Sequence, residues 1–443
     1  MQKITLTPSQ AVALDALIDF ANGNTEFSLT TLEGYAGTGK TTLIAHLMEA
    51  LAGSGIGPSI AVMAPTNKAV GVIQQKIGQH IAAEYGSLHS FLGLRLTEKE
   101  DGSQTCLPDG DSSLHKYDLA IIDECSMVSE SLFTAIMTSR RRCRVLFVGD
   151  PAQLPPVEDR NESPVFRLVS NRIRLSEVVR QARDNPIIAA SIKVREAIEQ
   201  MRRIGLAELA GAFPPPPSAA GIMQGGINAI VDTIIYEQQQ GRVCRAVAWT
   251  NKTVEAINAR VHAGLFPDCK SPFAVGEEVM AQSEFKTVED KDFAPKPIRV
   301  FNSEELIVES VVLEKHPRFS SIPAWKMVLS RDDGNRVIAF YPVDYAAYKS
   351  EINRLWTEYR ALKQKGEHKD AKKISDHAWD MARAFAPIRH NYAMTAHKSQ
   401  GSTFDTALVH WDDLSCHRQD FDFNRLLYVA MTRASKHLAI VIQ

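Results

Sequence analysis

The run Gly34-Tyr35-Ala36-Gly37-Thr38-Gly39-Lys40-Thr41 is a complete G-x-x-x-x-G-K-S/T pattern, and it constrains this chain more than any other feature. It follows an apolar, β-prone run from Phe27 to Leu32 and opens a helical pattern from Thr41 to Leu51. Strand, glycine turn and helix in that order make a phosphate-binding loop. Gly34, Gly37 and Gly39 let the backbone turn and bring its N–H groups close to phosphate oxygens. The helix that follows adds the positive end of its dipole. Lys40 is placed to reach the β- and γ-phosphates and Thr41 to ligate Mg²⁺, with Thr38 and Thr42 completing the nucleotide-binding set. The chain is expected to bind a nucleoside triphosphate.

The surrounding sequence supplies a frame for that loop. At 443 residues there is room for several domains. A formal net charge of -2 leaves nucleic acid open as a partner, because a binder needs a basic groove and not a basic total. The six cysteines are scattered singly, without zinc spacing, and suit a reducing compartment. The first residues lack the apolar stretch of a signal peptide and no run reaches membrane-span length, so no membrane association and a cytoplasmic setting (a bacterium or a phage-infected host) are expected.

To about residue 200, apolar runs alternate with helical periodicity, which predicts an α/β fold with a parallel sheet. The segment 95–117 is polar and carries the turn pair Asp109-Gly110, so it reads as a small hairpin excursion. A second α/β pattern begins after the Pro214–Pro217 run. It is interrupted by β-rich residues 272–344 and a charged helical hairpin over 345–386 that turns near Gly366. That hairpin reads equally as a brace for the 95–117 excursion or as a solvated arm.

Further motifs follow strands. Ile121-Ile122-Asp123-Glu124 ends an apolar run with two carboxylates, the first suited to Mg²⁺ and the second to activating water. Adjacent strand residues face opposite ways, so Glu124 must sit where the strand gives way to a loop. Val148-Gly149-Asp150-Pro151-Ala152-Gln153 follows another strand, and Gln153 can orient a lytic water or sense the γ-phosphate. Thr395-Ala396-His397-Lys398-Ser399-Gln400-Gly401 and Leu427-Tyr428-Val429-Ala430-Met431-Thr432-Arg433-Ala434 lie far downstream.

Together these segments resemble motifs I, Ia, II, III, V and VI of the superfamily 1 helicases, in order and over the whole length. The similarity is greatest to superfamily 1B, the RecD-like and phage Dda-like branch. The resemblance implies two RecA-like (P-loop NTPase) domains with parallel sheets. Domain 1A would comprise residues 1–92 and 118–205, and domain 2A residues 206–270 and 387–443. A β-hairpin insertion, 1B, would span 93–117, and an SH3-like β insertion with a helical arm, 2B, would span 271–386. It implies ATP as the nucleotide, read by Gln10 of a Q motif at Leu6–Gln10. It assigns Lys40, Glu124, Gln153 and Gln400 to catalysis, with Arg433 and Arg180 as arginine fingers, Arg180 alternatively being a surface ion pair. Such a finger is worth roughly 10³–10⁵ in rate.

For the nucleic-acid track the resemblance nominates Pro65, Thr66 and Lys68 of motif Ia, His89 and Phe91 of motif Ib, Asn251, and Thr395, His397 and Lys398 of motif V. Phe91 reads either as a stacking ring or as core. Contacts of this kind grip a backbone and are indifferent to sequence. The implied activity is ATP-dependent 5′→3′ unwinding by a motor that translocates on single-stranded DNA and acts on 5′-tailed duplex as a monomer, with a single-strand-binding protein as an optional further partner. A translocase that strips proteins without unwinding and a non-motor ATP-dependent switch stay open. The run Arg140-Arg141-Arg142-Cys143-Arg144 lies at the opposite end of its strand and reads as solvated surface.

Overall fold

The computed structural model describes residues 6–53, 58–77, 82–98, 104–108, 110–156, 162–177, 185–215, 218–290 and 296–443. The chain divides into two compact units, one comprising residues 1–99, 103–257 and 393–443 and the other mainly residues 258–392.

The first unit opens with helix α1 (Pro8–Asn22) and strand β1 (Leu29–Gly34), followed by α2 (Lys40–Ala52), β2 (Ile60–Ala64), α3 (Asn67–Ile77) and β3 (Glu84–Ser87). A two-stranded antiparallel hairpin, β4 (Leu94–Glu98) with β5 (Gln104–Pro108), interrupts the alternation. It resumes with β6 (Leu119–Ile122), α4 (Glu130–Ser139), β7 (Arg144–Gly149), β8 (Arg172–Leu175) and α5 (Pro186–Glu199). These strands form an all-parallel sheet in the order β3-β2-β6-β7-β1-β8. Strands β2, β6 and β7 are largely apolar because both faces are covered: Leu32 of β1 with Val62, Ile121 and Leu146 packs to one side and Met63, Ile122, Val145 and Phe147 to the other.

The chain continues through β9 (Ala220–Gln224), α6 (Gly226–Gln239), β10 (Cys244–Ala248) and α7 (Asn251–Leu265). It then builds seven antiparallel strands: β11 (Glu278–Ala281), β12 (Phe285–Glu289), β13 (Pro297–Val300), β14 (Glu305–Lys315), β15 (Pro323–Ser330), β16 (Arg336–Pro342) and β17 (Ile388–His390). Between β16 and β17 stand helices α8 (Tyr345–Gln364) and α9 (His368–Ala384), joined at Gly366 with φ +78°, the left-handed turn expected there. Trp356, Leu355 and Ile352 of α8 pack with Ala378 and Met381 of α9. This pair thus has its own apolar seam.

The chain returns as β18 (Ala393–Thr395), β19 (Phe404–His410), α10 (Asp420–Met431) and β20 (Ala434–Ile442). These complete a second all-parallel sheet, β18-β10-β19-β20-β9. Two parallel sheets covered by helices, with an antiparallel insertion in the second, is the α/β class the sequence predicts.

Candidate nucleotide site and nucleic-acid surface

Strand order explains which motifs meet. In a parallel sheet all carboxyl ends share one edge, where ligands bind. β6, β7 and β1 are consecutive in the first sheet, so the loops after them converge although they are far apart in sequence. Those loops carry Asp123-Glu124, Asp150–Gln153 and the phosphate loop. β2 and β3 lie beyond β6 and place Pro65, Thr66 and His89 to one side. In the second sheet the adjacent strands β10 and β18 deliver Asn251 and Thr395.

A cleft of about 290 Å³ lies on the catalytic side. Gly37, Gly39, Lys40, Thr41, Thr42, Asp123, Glu124 and Gln153 line it, together with Gly401 and Arg433 from the second sheet's half of the unit. Gly37 and Gly39 adopt φ +82° and +81°, and a Cβ on Gly34 would stand 2.6 Å from Thr38 Oγ1. Each glycine is thus required by the turn. Lys40 Nζ is folded onto the loop, donating to the carbonyls of Gly34 at 2.6 Å and Tyr35 at 3.0 Å. Thr38 is fully buried and donates its hydroxyl to Tyr35 O at 2.9 Å.

Glu124 does leave the strand: β6 ends at Ile122, and Glu124 has φ +51°. Holding a non-glycine residue there costs about 1–2 kcal/mol, a strain found where geometry serves a site. Desolvation and the adjacent Glu124 charge push the Asp123 carboxyl above the ordinary carboxylate range. Two crowded carboxylates beside a threonine hydroxyl fit a hard divalent cation. Gln153 is 7% exposed, and its side-chain oxygen is buried without a hydrogen-bond partner, so an acceptor stands ready at the cleft.

Arg433 is buried, and burial pushes its pKa down. Its guanidinium donates to the carbonyls of Val429 at 3.0 Å and Ser402 at 3.1 Å and to Thr432 Oγ1 at 3.1 Å. A cation held by carbonyls and a hydroxyl is suited to receive an anion. Gln400 donates to Leu154 O at 3.5 Å and is buried beside, not among, the cleft-lining residues. Gln10 is 4% exposed, accepts the Thr7 N–H at 2.9 Å and donates to Thr38 O at 2.9 Å, so it braces the phosphate loop directly. Arg180 lies outside the described residues.

Several residues at this site carried no sequence-based role. Asp150 is fully buried; its Oδ1 accepts from Arg195 at 2.7 Å and its Oδ2 from the Tyr428 hydroxyl at 2.6 Å. The Tyr428 hydroxyl also accepts the Ala36 N–H of the phosphate loop at 3.2 Å. Arg195 lies 3.6 Å over the Tyr35 ring. One network therefore ties the phosphate loop, the loop after β7 and α10. Asp150 and Tyr428 sit inside recognisable motifs and could have been nominated; Arg195, in mid-helix, offers no local signal.

On the nucleic-acid side, Pro65 and Thr66 are half-buried, with Thr66 Oγ1 accepting the Ala69 N–H at 3.3 Å. Lys68 stands in the first turn of α3, and its side chain lies outside the described residues. Phe91 resolves to core: it is 4% exposed and packs edge-on to Tyr117 at 5.6 Å, so its faces are not offered to a base. Burial pushes the pKa of His89 down, and burial followed by the His417 charge does the same to His397. Both imidazoles are therefore neutral near pH 7. Asn251 is exposed beside a tightly built loop in which Asp413 accepts from Trp249 N at 2.6 Å, Thr250 N at 2.8 Å and Thr253 Oγ1 at 2.6 Å. Thr395 caps the turn Ala396–Ser399, accepting the Lys398 N–H at 3.4 Å.

Comparison with known proteins agrees with this arrangement. Residues 5–211 match a family described as an AAA domain, and residues 390–441 match the UvrD-like helicase C-terminal domain. The ATP-dependent DNA helicase dda of Enterobacteria phage T4 is 27% identical over 427 residues, covering 91% of this chain and 92% of that protein. The ATP-dependent RecD2 DNA helicase of Deinococcus radiodurans is 32% identical over 194 residues, covering 42% of this chain and 23% of its own length. Among solved structures, one of two coordinating Pif1 helicases at forked double-stranded DNA aligns with a TM-score of 0.53 at 19% identity, covering 98% of this chain and 92% of that one. Bacteroides Pif1 in complex with ADP-AlF3 and single-stranded DNA aligns at 0.50 and 17%, covering 100% and 93%. These structural likenesses establish a shared fold. With both ends of the chain matched and the similarity to the phage T4 helicase running nearly end to end, the findings support a chain similar to the superfamily 1B helicases of the Pif1, RecD and Dda kind.

Proposed function

We propose that this protein is an ATP-driven DNA motor that moves 5′→3′ along single-stranded DNA and unwinds the duplex ahead of it. The observation that carries the reading is the composition of the cleft: a phosphate loop from one parallel sheet faces Gly401 and Arg433 from the other. A site completed by two lobes links nucleotide occupancy to their relative position.

In this reading Lys40 exchanges the carbonyls of Gly34 and Tyr35 for the β- and γ-phosphates of ATP. Thr41 and Asp123 would hold Mg²⁺, which supplies charge neutralisation at the phosphates. The free oxygen of Gln153 orients the attacking water and Glu124 accepts its proton. Arg433 meets the charge that develops on the transferred phosphoryl group, with Arg180 as the second finger. Gln400 reports the state of the cleft to the segment carrying Thr395, His397 and Lys398, and these residues with Pro65, Thr66, Lys68, His89 and Asn251 hold the DNA backbone.

The proposed division follows the family: residues 1–92 with 118–205 and 206–270 with 387–443 as the two motor domains, 93–117 as the strand-separating hairpin, and 271–386 as the accessory module. A monomer in the cytoplasm of a bacterium or an infected host is the proposed working form. Among the described residues no helix is long and apolar enough to cross a membrane.

The test is ATPase activity with and without single-stranded DNA, together with strand displacement on forks bearing a 5′ or a 3′ tail. DNA-stimulated turnover and displacement of the 5′-tailed fork alone support the reading. Turnover indifferent to DNA defeats it, and displacement confined to the 3′-tailed fork reverses the polarity.

A further inference from the structure

The second compact unit carries a ligand set unrelated to the nucleotide cleft. His262 lies on α7, Glu277 in the turn before β11 and His390 at the end of β17. His262 Nδ1 stands 3.0 Å and 3.1 Å from the two Glu277 carboxylate oxygens, and His390 Nδ1 stands 2.6 Å from Oε1. One ligand atom from each residue falls within a mutual distance of 4.8 Å. The Glu277 side chain is fully enclosed, while those of His262 and His390 are 14% and 20% exposed.

The three groups are held in place by their surroundings. The Ala274 N–H donates to Glu277 Oε2 at 2.8 Å and so fixes the carboxylate plane. The two imidazoles pack against each other with centroids 4.7 Å apart, His390 also against Phe273 at 4.9 Å and His262 against Phe266 at 5.6 Å. Ring packing and an orienting amide are what a metal site uses to aim its ligands. The enclosed carboxylate supplies the second consideration. Burying an anion is costly unless its charge is met. Its hydrogen-bond donors among the described residues are the two imidazoles and one amide, and a cation bound between these groups would meet its charge.

We propose that His262 Nδ1, His390 Nδ1 and a Glu277 oxygen bind a zinc-class divalent cation. Two imidazoles and one carboxylate favour Zn²⁺ or a neighbouring first-row metal over Mg²⁺ or Ca²⁺, which take oxygen sets. Tetrahedral zinc bonds of roughly 2.0–2.1 Å place ligand atoms about 3.3 Å apart. The His262 contacts nearly match that spacing, and His390 needs to withdraw by roughly half an ångström or slightly more to reach it. Three protein ligands leave a fourth position for water, reached past the two partly exposed rings. His262 and Glu277 lie on the segment by which the chain runs into the antiparallel strands, and His390 on the segment by which it leaves them. The ion would clip those two segments together, a structural role independent of ATP.

The test uses the full-length protein, stripped with a chelator, dialysed and titrated with Zn²⁺ by calorimetry in the absence of nucleotide and Mg²⁺. Co²⁺ serves as a visible-absorption probe of the ligand set. Wild type is expected to bind one equivalent with a rise in melting temperature, and His390→Gln to bind at least tenfold more weakly with no melting shift. The Co²⁺ spectrum should show nitrogen and oxygen ligation, and lack a thiolate band. His262→Gln is the second variant; should it fail to fold, the wild-type and His390→Gln comparison decides alone. Wild type that takes up no more metal than His390→Gln, or a thiolate band that survives in it, overturns the proposal and leaves a hydrogen-bonded staple only.

Discussion

Removing one oxygen atom, by Tyr428→Phe, tests whether the network around Asp150 joins the two lobes energetically. The ring is 1% exposed, so phenylalanine fills nearly the same volume and the change is confined to the hydroxyl. That hydroxyl donates to a fully buried carboxylate at 2.6 Å. A hydrogen bond to a charged acceptor contributes about 1.5–3 kcal/mol, and the stranded oxygen cannot recruit water where it lies. Arg195 at 2.7 Å and the Ala152 N–H at 3.0 Å still hold the other Asp150 oxygen, which keeps the loss near the lower half of that range. The Ala36 N–H is only half-buried and can hydrate, so it adds little. A double-mutant cycle with Asp150→Asn, read by urea unfolding of the nucleotide-free protein, isolates the pair. We expect a coupling of about 1–2 kcal/mol. Coupling below about 0.5 kcal/mol, the level at which distant sites simply add, refutes the reasoning.

Glu124→Gln should abolish steady-state ATP turnover, by about 10²–10⁴-fold as for loss of a general base, while a fluorescent ATP analogue still binds; retained turnover removes Glu124 from the chemistry. Gln153→Ala should lower kcat with little change in the KM for ATP, as measured by a coupled ATPase assay, because the interaction it removes belongs to the attacking water. Phe91→Ala should destabilise by about 3–5 kcal/mol in denaturant unfolding, as for any large core truncation, whereas Phe91→Leu should restore both folding and DNA affinity if the ring is packing and not stacking. Asp413, pushed up by burial but pulled further down by hydrogen bonds from Thr253, Thr250 and Trp249, has a folded pKa below its ordinary value. Its stabilising contribution is therefore present above about pH 4 and lost as the pH falls through the folded value. The difference in acid unfolding between wild type and Asp413→Asn should vanish at the acid end.

The sequence by itself determined the phosphate loop, the carboxylate pair and the later motifs, because each is a short segment whose chemistry depends on its own backbone. Gly37 and Gly39 are legible as glycines that a left-handed turn demands, and Glu124 as a residue forced off its strand. Alternating apolar and amphipathic runs likewise specified parallel sheets, since strands covered on both faces are mostly apolar. Motif order could nominate Gln153 and Arg433 for one site. Only the tertiary structure, through the sheet order β6-β7-β1 and the cleft itself, put them there. It also decided that Phe91 is core, because burial depends on what packs over a ring. The Tyr428–Asp150–Arg195 network and the His262–Glu277–His390 cluster were decided there as well. Their members stand 278, 45, 15 and 113 residues apart, and no local pattern encodes contacts made only when distant segments are folded against one another.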